Sequence, residues 1–235
     1  RGAVTPKDRK KLIKVCSKII FVSNWVKEKF FEGLDIKNHE ICQVVYPSIN
    51  KISKLPKKEK LITFVGKLNH SKGYDTFGKA IIRILKKYKD WKSIVIGDEP
   101  REKYNFKHNR LFHLGWITHD ETMNIYKKSS ISVVPSHWEE PFGRTSLEAA
   151  SRGCATILSR RGGLPETIPY GIYLNRINQN DIFKKIKLLI TNKKLREDLQ
   201  KKSLKNVFHE IKKNTIALDN LRHEVVNIKN IFIKR

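Results

Sequence analysis

Between Ser136 and Ser159 the sequence reads SHWEEPFGRTSLEAASRGCATILS, with two glutamates, Glu140 and Glu148, on either side of a Pro-Phe-Gly turn. A carboxylate accepts hydrogen bonds from two neighbouring hydroxyls, which is how an acidic side chain grips the vicinal diol of a ribose or a hexose. Gly143, Arg144 and Thr145 open the alanine-rich helix that follows. Free amides and the positive end of the helix dipole attract phosphate there, and Arg144 adds a planar fork that can hold it with two bonds. The same dipole favours an acid near a helix start with no chemistry attached, so spacing alone leaves that plainer reading open.

A second group lies upstream, in FVGKLNHSKGYDTF. Gly66 follows an apolar run and lets a ligand approach the backbone. Lys67 and Lys72 flank a short loop that enters a helix at Gly73, and two ammonium groups beside a helix N-terminus form a cradle for a diphosphate. The spacing matches neither a Walker loop nor a GxGxxG fingerprint, and in so basic a chain a merely solvated lysine is the alternative. A third feature is RRGGLPE, where Gly162 and Gly163 either turn the chain or bring backbone close to a sugar, with Glu166 starting a short helix. Trp116 and Trp138 stand in loops, suited to stacking on a base or sugar or to filling a loop root. His70 could approach the phosphates and His137 could line a sugar pocket; neither receives a catalytic role.

The elements that must position these residues follow from periodicity. The segment TPKDRKKLIKVC reads as a lysine-rich helix, KIIFVS as a buried strand, the stretch after Ser23 as a capped helix ending at Gly33, and ICQVVYP as another strand. SINKISKLPKKEK is polar and lysine-rich and reads as a linker. After it, short apolar strands (LITFVG, SIVIGD, LFHLG, ISVVPS, ATILS) alternate with helices from about Lys72, Asp120 and Gly143. That alternation predicts βαβ units and a doubly wound parallel sheet, α/β and Rossmann-like, with a helical C-terminal tail. Ligands of such sheets bind beyond the carboxyl ends of the strands, where strand order reverses. The expected organisation is 1–46 as the end of one domain, 47–60 as linker, 61–195 as the Rossmann-like domain and 196–235 as C-terminal helices.

Composition narrows the partners. Lys and Arg total 49 against 23 Asp and Glu among 235 residues, a formal charge of +26, which favours anionic partners. The abundance of Lys, Ile and Asn is equally what an AT-rich genome would impose. A nucleic-acid-binding protein would show clustered Lys and Arg interleaved with aromatics, and the sequence has no such cluster. Cys16, Cys42 and Cys154 are too scattered for a zinc site or a disulfide framework. With no apolar run near the ~20 residues that span a bilayer and no signal peptide, the expectation is a reducing, cytoplasmic setting. RGAVTPKDRKK lacks an initiator Met, so the chain is expected to be the later part of a longer one.

EPFGRTSLE fits the E-x7-E pattern of the retaining glycosyltransferases of family 4, and FVGKLNHSKG resembles their G-(R/K)-x4-KG phosphate loop. FVSNWVKEKF, VVYPSIN and RRGGLPE resemble further segments of that family in the expected order, so the likeness runs from about Lys18 to Glu166. The resemblance implies the nucleotide-sugar-binding half of a GT-B fold with a remnant of the N-terminal domain. It implies that Glu148 binds the ribose hydroxyls and that Glu140 lies against the donor sugar without acting as a nucleophile. Lys67 and Lys72, with amides of Gly143, Arg144 and Thr145, would neutralise the departing diphosphate, and Gly66 and Gly163 would bring backbone near the donor. The base would stack near the loops after VIGD and FHLGWI. Lys67 stands where arginine is common in the family, and Arg144 where an apolar residue is usual. No cofactor or metal is implied, which agrees with the absence of a DxD pair. The implied reaction is transfer of a hexose from a nucleotide diphosphate sugar to a glycan or lipid-linked acceptor, of cell-surface polysaccharide or lipopolysaccharide type. Peripheral contact with an anionic inner membrane face would suit the charge, and no specific nucleic acid is expected. A donor-domain fragment that binds nucleotide sugar without turnover is the alternative.

Overall fold

The computed structural model describes residues 5–206 and 211–233, the side chains of 212–213 and 227–233 excepted. The fold divides into two compact units, 1–48 with 209–235 and 49–208. The expected N-terminal and C-terminal segments also cover 1–4, 207–210 and 234–235, which lie outside the described residues.

The first unit begins with α1 (Pro6–Val15), started by a reciprocal capping box between Thr5 and Asp8 with Pro6 in the first turn. Strand β1 (Ile19–Phe21) follows, then α2 (Asn24–Phe31), whose N-terminus is capped by the Ser23 hydroxyl accepting from the Val26 amide. Strand β2 (Cys42–Val44) pairs parallel with β1, Ile19 opposite Cys42. Phe21, Phe31 and Cys42 form its small buried cluster.

The second unit holds a six-stranded parallel sheet. Its elements are β3 (Glu59–Val65), α3 (Tyr74–Lys87), β4 (Lys92–Ile96), β5 (Leu111–His113), α4 (His119–Lys128), β6 (Ser129–Val134), α5 (Arg144–Ser151), β7 (Ala155–Leu158), β8 (Ile172–Tyr173), α6 (Gln179–Thr191) and α7 (Lys193–Lys205). Strand order is β5-β4-β3-β6-β7-β8. The chain therefore steps outward from β3 to β5, returns to the other side of β3, and steps outward again, which is the doubly wound Rossmann order. Every residue of β6 and β7 is buried, as a parallel sheet covered on both faces requires. α3 buries Phe77, Ala80, Ile81, Ile84 and Leu85, a stripe at three- and four-residue spacing, and Ile182, Ile186 and Leu189 of α6 join the same core. Burial of each such large side chain favours the fold by about 1.5–3 kcal/mol.

Three features depart from expectation. The segment expected as a linker is packed into the second unit: Ile49 is buried, and Lys58 Nζ donates to the carbonyls of Tyr126 at 3.0 Å and Arg152 at 2.6 Å. β8 went unread because two half-buried residues carry no period. The tail splits: α7 belongs to the second unit, whereas α8 (Ile211–Ile233) belongs to the first, where Glu224 pairs with Lys18 at 2.6 Å. Among the described residues no helix is long and apolar enough to cross a membrane.

Candidate active site

β3 and β6 are neighbours, and their following connections diverge, so the switch point of the sheet lies at their carboxyl ends. A cavity of about 150 Å³ opens there, lined by Gly66 after β3, Lys72, Ser136 and Glu140 after β6, and Gly143, Arg144 and Thr145 at the start of α5.

The β3 side is shaped by a tight turn. Asn69 caps a short 3-10 helix, His70–Lys72, its Oδ1 accepting from the Lys72 amide at 3.0 Å. Gly73 then adopts the left-handed conformation (φ 73°), and a Cβ there would fall 2.0 Å from the Pro135 carbonyl oxygen. Only glycine allows both the φ and the approach, and together they bring Lys72 against the β6 side. Lys72 Nζ donates to Glu140 Oε1 at 2.6 Å, and Ser136 Oγ donates to the same oxygen at 2.8 Å. Ser71 O ties the two loops further, accepting from the amides of His137 and Trp138, both at 2.9 Å, and from Ser136 Oγ at 3.1 Å.

Glu140 is held from its other side as well. The Gly163 amide donates to the Glu140 carbonyl at 2.7 Å, and a Cβ on Gly162 (φ 56°) would lie 2.2 Å from that same oxygen. The paired glycines thus bring backbone onto backbone at Glu140. Arg161, on the same loop, pairs with Glu139 at 3.0 Å.

Glu148 sits one helical layer away in α5 and is buried to 8% exposure. Its basic neighbours stand farther off. Arg144 Nε lies 3.5 Å from Oε1, and His119 Nδ1 lies 3.9 Å from it. Burial pushes the Glu148 carboxyl above the usual carboxylate range, against the opposing pull of Arg144 and then His119. A buried carboxylate of this kind is stabilised by donors that a ligand brings.

The sequence-derived residues therefore separate into three groups. Gly66, Lys72, Glu140, Gly143, Arg144 and Thr145 share one cavity. Glu148 and Gly163 are buried beside it, bonded to or near its lining residues. Lys67 is exposed and lies outside the lining, because the chain turns between Gly66 and Asn69 and its carbonyl accepts from the Asn69 amide. Trp116 and Trp138 are 74% and 59% exposed, so neither fills a core. His70 and His137 stack on one another, ring centroids 4.4 Å apart, while His113 Nε2 meets the Tyr74 hydroxyl at 2.6 Å.

Several partners had no sequence signal. Ser136 and His119 gain their relation to Glu140 and Glu148 only through the fold. Asn69 offered one, a capping-type residue three positions before Lys72. Beyond β4, Glu99 is buried and gripped by Arg101 at 2.7 and 2.9 Å, which brings its carboxyl down to about 2, and Asn69 Nδ2 donates to it at 3.4 Å.

The sequence and the fold are similar to those of known proteins. An uncharacterized glycosyltransferase of Methanocaldococcus jannaschii is 29% identical over 184 residues, covering 74% of this chain and 45% of its own length. A second from the same organism is 34% identical over 193 residues, covering 77% of this chain and 52% of its own. The chain thus spans about half the length of the curated relatives it matches. The C-terminal domain of a Francisella tularensis group 1 glycosyl transferase superposes with a TM-score of 0.59 at 29% identity, covering 71% of this chain and 96% of that domain. Anabaena HepE, solved in complex with UDP and glucose, shares the fold with a TM-score of 0.74 at 15% identity, over 93% of this chain and 68% of its own. Residues 45–206 match the family described as Glycosyl transferases group 1, and the chain belongs to that family.

Proposed function

We propose that the second unit binds a nucleotide diphosphate sugar at the β3–β6 crevice, and that the protein transfers the hexose, with retention, to a glycan or lipid-linked acceptor. The observation that carries this reading is the meeting of Lys72, Glu140 and the α5 N-terminus in one cavity at the switch point, with buried Glu148 beside it. In this reading the diphosphate lies against Lys72, Arg144 and the amides of Gly143 and Thr145. The ribose hydroxyls bond to Glu148. The sugar lies by Glu140, whose carboxylate is fixed by Lys72 and Ser136 and so positions sugar hydroxyls without attacking carbon.

The physical logic is electrostatic. Cleavage of the anomeric bond leaves positive charge on the sugar and negative charge on the departing diphosphate. A fixed cation and aligned amides stabilise that charge more in the transition state than in the ground state. In this reading that charge is met by the chain's own Lys72, Arg144 and backbone amides.

The test reads binding, since the chain spans about half the length of its relatives. Calorimetric titration with UDP, GDP and their glucose, mannose and galactose conjugates should give one preferred nucleotide. Glu148→Ala and Lys72→Ala should each weaken it at least about tenfold, the loss of one charge-assisted hydrogen bond of ~1.5–3 kcal/mol. Absence of binding to every nucleotide, with binding of a random oligonucleotide that falls steeply with salt, would overturn the reading.

A further inference from the structure

Beside the cavity lies a group of side chains that the transfer reading does not use. His70, Asp75 and His137 each present one potential ligand atom, and these atoms all lie within 4.8 Å of one another. Two nitrogen ligands and one oxygen ligand form a donor set that suits zinc and its first-row neighbours, with positions left for water.

The geometry is prearranged by the backbone. Ser71, next to His70, accepts the amides of His137 and Trp138, so the loops carrying the two imidazoles are already joined. Asp75 stands in the first turn of α3, with Oδ2 3.0 Å from His70 Nδ1. Two polar atoms of this cluster, Asp75 Oδ1 and His137 Nε2, are buried with no hydrogen-bond partner. Orphaned buried acceptors of this kind call for an explanation, and a bound cation supplies one. Tetrahedral zinc with bonds of about 2.0–2.1 Å needs ligand atoms roughly 3.3 Å apart, so the two imidazoles, which stack with centroids 4.4 Å apart, must turn for their nitrogens to converge on the ion. The His70 side chain is 61% exposed and leaves an entry path from solvent.

We infer that His70, Asp75 and His137 form a binding site for a divalent transition metal of the zinc class, which cross-links the loop after β3 to the loop after β6. The ion would hold together the two segments that carry Lys72 and Glu140, from outside the cavity. Its role is positional, distinct from the proposed transfer step, and it stands or falls independently of nucleotide binding. The simpler arrangement is the direct hydrogen bond between His70 and Asp75 with no ion, which predicts no metal affinity.

The experiment is titration of the tag-free, chelator-stripped chain with Zn²⁺ by calorimetry and with Co²⁺ by absorption, in a Cys16→Ser background so that the partly exposed thiol contributes nothing. The expected result is one equivalent bound, a Co²⁺ spectrum of nitrogen and oxygen ligation without a thiolate band, and affinity at least about tenfold weaker for His70→Gln, His137→Gln and Asp75→Asn. His70→Gln carries the test if the half-buried positions prove intolerant, because His70 lies at the surface. Failure of either ion to bind, or affinity unchanged in His70→Gln, overturns the inference.

Discussion

The two carboxylates of the site are compensated in opposite ways. Glu140 is bonded by Lys72 at 2.6 Å and by Ser136 at 2.8 Å, with its backbone braced by Gly162 and Gly163. Glu148 is as deeply buried, yet the basic side chains beside it, Arg144 and His119, stand 3.5 and 3.9 Å away and are exposed. Burial with close pairing makes a fixed part of the frame. Burial with loose pairing leaves a charge whose missing hydrogen bonds a ligand can supply, and the upward shift of the Glu148 carboxyl's titration, caused by burial, is the sign of it.

The strongest way to break this contrast is Gly73→Ala, which removes the turn that aims Lys72 at Glu140. A left-handed alanine costs about 1–2 kcal/mol, and crowding Pro135 adds about 1–3. Chemical denaturation should therefore show a loss of roughly 2–5 kcal/mol. Lys72→Ala comes next. Stranding one partner of a buried pair costs about 3–5 kcal/mol, but the Lys72 side chain keeps 32% exposure, so screening reduces the expectation to about 1–3 kcal/mol. UDP or GDP affinity should fall more than affinity for the corresponding nucleoside, since the lost charge faces phosphate.

Glu148→Gln should act oppositely on stability and on binding. Because the folded carboxyl titrates above its unfolded range, its favourable contribution is full below the unfolded pKa and is lost as pH rises through the folded one. At pH 7 the ionised group is a burden, and the amide should raise Tm, by ~2–4 °C for each kcal/mol relieved in a chain of this size. The same substitution should weaken nucleotide about 10–100-fold. Wild-type affinity should decline as pH falls through the raised value, and the amide variant should lose that dependence. The smallest effect is a double-mutant cycle on Arg144 and Glu148. An i,i+4 pair with an arginine 65% exposed should couple by only about 0.2–0.5 kcal/mol, well below the Lys72–Glu140 pair.

Much of the fold was legible because buried parallel strands are short apolar runs between amphipathic helices, and LITFVG, SIVIGD, LFHLG, ISVVPS and ATILS each overlap a strand of the sheet. The residue types of the cavity were legible too, since glycine, lysine and a helix start with arginine together suit a diphosphate. Pairings were not. Lys72 and Glu140 stand 68 positions apart, and only the parallel pairing of β3 with β6 brings them together. The closeness of His70 to His137 was illegible for the same reason, as a metal search by sequence looks for ligands at short spacing. Lys58 misled because a lysine in a polar stretch looks solvated, whereas its ammonium here closes two carbonyls.

The most direct measurement is a crystal structure of this chain with the nucleotide that titration selects. The account predicts the diphosphate against Lys72 and the α5 N-terminus, with the ribose hydroxyls on Glu148. A nucleotide bound elsewhere, or one in this crevice with Glu148 turned away from the ribose, would contradict it.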